Sequence, residues 1–199
     1  MWQNVADVIR EIETRSSAEL VVEIRARAAS YAHADSSFGA LVALASLAVL
    51  VFMPFVVPPI AVLLDPVPFY FLGVMIAQRS DALRRLFTTR KERLEAVRTR
   101  AAALFHDRRV SETEEETGVL FFASLLERRI EVLADRGVLR AVHPEEWNAL
   151  LAELHAERKL DPDVVIAALR KIGALLERAL PPGAGANADE LPSVPEVSL

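Results

Sequence analysis

The chain of 199 residues has no cysteine. That excludes disulfides, a thiolate nucleophile and any zinc or iron–sulfur site held by Cys, although it leaves the side of a membrane open. Strong positive charge is missing as well: the formal charge is −5, so no nucleic-acid partner is expected. His33, His106, His143 and His155 are scattered without metal-ligand spacing. No nucleophile elbow, phosphate-binding glycine loop or triad pattern occurs, and no internal repeat. The first residues, Met1 to Thr14, are amphipathic and acidic rather than basic and then apolar, so they are not expected to be a cleaved leader.

What is abundant is apolar surface, 52% of residues with positive mean hydropathy, and it is concentrated between Phe38 and Ala77. Phe38 to Leu64 carries no charge. About 20 apolar residues cross a bilayer, so the stretch to Ala77 is too long for one helix and fits two. One division places them at 38–57 and 59–77 with the turn at Pro58-Pro59, where proline's missing donor is tolerated. That leaves Asp65, Pro66 and Pro68 inside the second helix. The other division turns at Asp65–Pro68 and shortens the second helix. An acid at membrane depth is a functional candidate, whereas at a turn it lies at headgroup level. Arg79, Arg84, Arg85, Arg90, Lys91 and Arg93 crowd the exit of the second helix, and the turn has no Lys or Arg. Both ends of the hairpin are therefore expected in the cytoplasm. Arg79, Arg84, Arg85, Arg90 and Lys91 are the expected contacts to lipid headgroups. The expected setting is the inner membrane of a bacterium, with the bilayer and other membrane proteins as partners.

The flanking segments read as α/β. Val5, Val8, Ile9 and Ile12 recur at helical spacing over 2–15. Residues 19–25 alternate, with Leu20, Val22 and Ile24 facing in and Glu19, Glu23 and Arg25 facing out, as in a half-buried strand. A charged helix over 91–107 follows the hairpin, then apolar strands over 118–124 and 130–134 joined by a short turn. Pro144 and Pro162 stand at the first position of two further helices, with His143 and Asp161 as caps and acids in the first turns. The tail beyond Pro181 is rich in Pro, Gly, Ala and acids and is expected to be loose. One strand cannot form a sheet by itself. Residues 1–37 and 78–180 are therefore expected to make one split α/β domain, interrupted by the hairpin at 38–77 and followed by the tail at 181–199.

In this order and spacing the chain resembles the TPM domain family, in its bacterial membrane branch with a hairpin inside the domain. The residues that carry the resemblance are Ser17–Val22, Thr113 with Thr117–Phe121, Leu126–Gly137, Trp147 and the tail Ala188–Pro192. Ser111 stands where the family pattern has His. The resemblance implies an α/β/α sandwich around a small mixed sheet. Soluble relatives include a thylakoid-lumen protein described as an acid phosphatase, and some relatives bind calcium through loop acids.

Asp135, in a turn after the third strand and before Gly137, and Glu19, opening the first, are the candidate ligands for calcium or another divalent cation, or for phosphate. The competing readings are an Asp-x-Gly turn former and an exposed acid at a strand edge. Glu112, Glu114, Glu115 and Glu116 lack calcium-loop spacing and read as a solvated turn. The expected function is a membrane-anchored interaction or assembly module. A divalent-metal phosphatase is the alternative.

Overall fold

The computed structural model describes residues 3–113, 115–157, 159–182 and 196–198. By internal contacts the chain divides into two units, residues 1–28 with 94–199, and residues 29–93.

The first unit is built on a four-stranded mixed sheet. Strand β1 (Glu19–Arg25) lies parallel to β2 (Gly118–Ser124), and β2 pairs antiparallel with β3 (Arg129–Ala134). A short β4 (Glu196–Ser198) runs parallel to the other edge of β1, giving the order β3-β2-β1-β4. The β1–β2 pairing joins residues almost a hundred positions apart, from opposite sides of the 29–93 segment. Helices cover both faces. On one, α1 (Gln3–Arg15), α8 (Pro144–Ala156) and α9 (Pro162–Ala179) place Val8, Ile12, Leu150, Leu169 and Ile172 against Leu20, Val22 and Phe121. On the other, Val97, Ala101 and Leu104 of α6 (Arg90–Asp107) meet Val21, Leu120 and Phe122.

That second layer corrects the expectation of a half-buried first strand. Glu23 is 1% exposed, because α6 covers the face expected to meet water. The tail is corrected in part. Residues 196–198 are a strand, whose Val197 packs against the core and whose Ser198 carbonyl accepts from the Ala26 amide at 2.8 Å. The tail motif Ala188–Pro192 lies outside the described residues. Asp161 caps α9 as expected, its Oδ1 accepting from the Val164 amide at 2.9 Å. His143 occupies the corresponding position of α8 without a capping side-chain bond.

The second unit contains α2 (Ala32–Phe52), α3 (Pro59–Leu64), α4 (Pro66–Gln78) and α5 (Asp81–Leu86). The chain reverses over residues 53–58, and Asp65 keeps helical dihedrals between α3 and α4. Residues 32–52 and 59–78 are each long and apolar enough to cross a membrane. They pack antiparallel where two glycines meet. A Cβ on Gly39 would stand 2.7 Å from Val74 Cγ2 and 2.8 Å from the Tyr70 carbonyl, and one on Gly73 would stand 2.8 Å from Gly39 Cα. Small residues let helices approach at backbone distance. At the base, Arg84 of α5 forks onto Asp35 of α2, with Nε–Oδ1 and Nη2–Oδ2 both 2.9 Å.

Gly39→Leu should therefore force the helices apart and destabilise the hairpin by about 1–3 kcal/mol or more. Val56→Ala, at a fully exposed position, should change stability by less than about 0.5 kcal/mol. Unfolding midpoints of the two variants in one detergent compare them directly.

Candidate functional site

The two candidate acids lie in one row at one end of the sheet. Glu19 pairs with Gly118, its amide donating to the Thr117 carbonyl at 3.3 Å. The Asp135 amide donates to the Gly118 carbonyl at 2.9 Å from the other side. Alternation puts both side chains on the α6 face, with Gly118 between them. Two strand spacings separate their backbones, roughly 10 Å. The gap over Gly118 is filled by the chain itself: a Cβ there would stand 1.9 Å from the Val110 carbonyl oxygen. Thr113, 6% exposed, holds the same loop by accepting the Thr117 amide on its Oγ1 at 3.0 Å. Val110 and its loop thus occupy the space between the acids.

Neither competing reading describes these acids fully. Glu19 is 3% exposed, inside the sheet rather than at an open edge. Asp135 is the cap of α7 (Arg136–Ala141), with Oδ1 accepting from the Arg136 amide at 2.7 Å; its Oδ2 is buried without a hydrogen-bond partner. Gly137 is required by crowding, since its Cβ would stand 2.5 Å from the Glu115 carbonyl, and its φ is not positive. Among the described residues no group of three or more His, Cys, Asp or Glu is placed to hold a metal ion. In the acidic loop, Glu112 lies in a 3₁₀ turn and Glu116 pairs with Arg140 at 3.2 Å; Glu114 lies outside the described residues.

Of the five basic residues expected at headgroups, Arg79, Arg90 and Lys91 are exposed and Arg85 is partly so. Arg84 is corrected. Its side chain is 8% exposed and its Nε/Nη2 edge is taken by the two carboxylate oxygens of Asp35, whose bond holds the guanidinium above its usual pKa. Breaking a buried pair of this kind costs on the order of 3–5 kcal/mol, so Arg84 is a structural residue. Arg93 is similarly engaged, donating to the carbonyls of Arg85 and Thr88 at 3.0 and 2.6 Å.

Two polar groupings were not expected. Buried Glu23 accepts from Arg25 Nε at 2.5 Å and from Arg108 Nη2 at 3.1 Å, and Arg108 also pairs with Glu196 of β4. Arg108 thus joins the middle of the sheet to its last strand. The sequence signal was an acid and a base two apart on one face of β1. The second grouping lies at the β3 edge. His155 Nε2 stands 3.5 Å from Glu131 Oε2, and Arg129 Nη1 donates to the His155 carbonyl at 3.3 Å. Burial, then Arg129 and Arg98, push the His155 imidazole down to about 4, while burial pushes the Glu131 carboxyl up. No sequence spacing links a strand residue to the end of a helix 24 positions later, so this contact is a product of the fold.

No family model matches the chain, and no curated protein matches it. Among solved structures, the NMR structure of the BA42 protein from the psychrophilic bacterium Bizionia argentinensis sp. nov. aligns with a TM-score of 0.52 at 14% identity. The alignment covers 98% of this chain and 91% of that one. The likeness is one of fold.

The His155 environment has a consequence for acid stability. A folded pKa of about 4, below the usual 6.5, means that the folded state binds fewer protons. The stabilisation from neutral His155 is complete above about pH 6.5 and is lost as pH falls toward 4. The full effect is on the order of 3 kcal/mol, offset in part by Glu131, whose raised pKa acts in the opposite direction. His155→Asn should flatten the fall in stability between pH 6.5 and 4. Denaturant midpoints for parent and variant across that range provide the check; equal slopes would contradict it.

Proposed function

We propose that the chain is a membrane-anchored domain of the TPM type that acts as an interaction or assembly module at the membrane surface. The observation that carries this reading is the distribution of exposed apolar side chains. Among the described residues, all the large exposed ones except Leu86 and Leu139 fall between Leu41 and Ile76. A patch of that extent needs a non-aqueous neighbour, and two antiparallel helices of 21 and 20 residues match a bilayer in length. Both chain connections to the hairpin come from the same α/β unit, which suits a hairpin that enters and leaves on one side. Arg79, Arg85, Arg90 and Lys91 favour the cytoplasmic side and anionic headgroups there. The TPM assignment is supported by the quoted sequence pieces; the likeness to BA42 is one of fold.

The phosphatase alternative is less well supported. Metal-assisted phosphoryl chemistry needs several ligands converging on one oxygen cluster. Glu19 and Asp135 are instead divided by the backbone over Gly118.

Two measurements test the membrane reading together. The chain should remain in the membrane pellet after alkaline carbonate extraction. Reporters fused at residue 1, near residue 58 and at residue 199 should read cytoplasm, outside, cytoplasm. Release by carbonate would overturn the anchor, and ends on opposite sides would overturn the single-domain arrangement.

A further inference from the structure

We propose that Asp65 is the membrane-level contact of the hairpin, receiving a transmembrane helix of a partner protein that carries a lysine or arginine at matching depth. This rests on the membrane reading above and names the chemistry of the partner.

The position of the chain reversal is the first support. With the chain reversal at 53–58, Asp65 lies away from it, at the junction of α3 and α4. It lies in the return span, about 9 Å along the helix from Pro59 at 1.5 Å per residue. That depth is inside a hydrocarbon layer of about 30 Å. Its backbone is helical, with φ −54° and ψ −43°, and its amide donates to the Ala61 carbonyl at 2.9 Å.

The second support is the lack of a cation within reach in the same span. Residues 36–78 contain no Lys, Arg, His or Glu, and no other Asp. Asp65 Oδ2 is buried and has no hydrogen-bond partner. The Ser46 hydroxyl, a donor on the facing helix, is given to the Ala43 carbonyl at 2.8 Å. Pro66 and Pro68 carry no amide hydrogen, so the carbonyls of Val62 and Leu64 lack the donors that a helix normally supplies. Along residues 62–68 the backbone therefore carries more acceptors than donors. An ammonium or guanidinium group brings both the opposite charge and several donors. A carboxylate in hydrocarbon calls for such a partner.

The third support is the surface beside it. Phe69, Leu72 and Ile76 follow Asp65 at spacings of four, three and four, and so share its helix face. They are 38%, 41% and 43% exposed. Asp65 is itself partly exposed. A partner helix lying along this apolar stripe sets its basic residue against Asp65.

The full chain, which has no native cysteine, is labelled with a donor through V56C and reconstituted in phosphatidylcholine vesicles. The probes are acceptor-labelled polyleucine helices with one Lys, one Leu or one Glu at the depth of Asp65. The Lys helix should give energy transfer at a peptide fraction about tenfold lower than the Leu helix, and Asp65→Asn should reduce it to the Leu level. Asp65→Lys should reverse the preference in favour of the Glu helix. Equal transfer to the Lys and Leu helices would overturn the proposal, since the carboxyl would then be satisfied within its own hairpin. So would Asp65-dependent transfer between two labelled copies of the chain, because a second copy would be the occupant. Vesicle flotation separates these failures from failure of the membrane reading: a chain that does not float with lipid overturns both.

Discussion

The parallel pairing of β1 with β2 is the constraint on which the molecule depends. It brings Glu19–Arg25 beside Gly118–Ser124 across the 29–93 segment. A parallel pair needs a crossover, and this crossover contains α6, which buries the second face of the sheet, together with the whole hairpin unit. Loop-closure entropy rises only slowly with length, so a long insertion between two paired strands is thermodynamically tolerable. The insertion contributes its own internal order through the Gly39–Gly73 crossing and the Asp35–Arg84 fork. The closure thus need not be sustained by the sheet alone.

The same pairing accounts for the buried charge. A strand in the interior of a sheet sandwiched between helix layers has no solvent face, yet β1 carries Glu19 and Glu23 there. Glu23 is retained because Arg25 and Arg108 satisfy it, and Arg108 extends that contact to β4. At the opposite end of the sheet, Gly118 allows the Val110 loop to close over the row that holds Glu19 and Asp135. That row is a packed sheet end, with Asp135 committed to capping α7.

Much of this was legible in the sequence, for identifiable reasons. The strands at 19–25 and 118–124 were readable because apolar alternation and apolar runs are local signals, and α9 because Asp161-Pro162-Asp163 carries a cap, a first-turn proline and an acid in three consecutive residues. The long charge-free stretch was readable by length alone. What was not legible depended on distant chain. Glu23 and Arg25 read as the water-facing side of a half-buried strand because nothing in residues 19–25 reveals that α6 will cover them. Arg84 read as a headgroup contact because its partner, Asp35, is 49 positions away. β4 could not be distinguished from a loose tail, since three residues with one apolar side chain carry no periodicity. Gly118 looked like the start of a strand, and only the Val110 carbonyl shows why a side chain is excluded there.

The central claim is that residues on either side of the insertion fold as one cooperative sheet. Native-state hydrogen exchange on the full chain in detergent tests it most directly, because amides in one cooperative unit open with a common free energy. The account predicts that the amides of Val21–Ile24 and of Leu120–Ala123 exchange with the same protection and the same denaturant dependence. Rapid exchange of the β1 amides while those of β2 and β3 stay protected would contradict it.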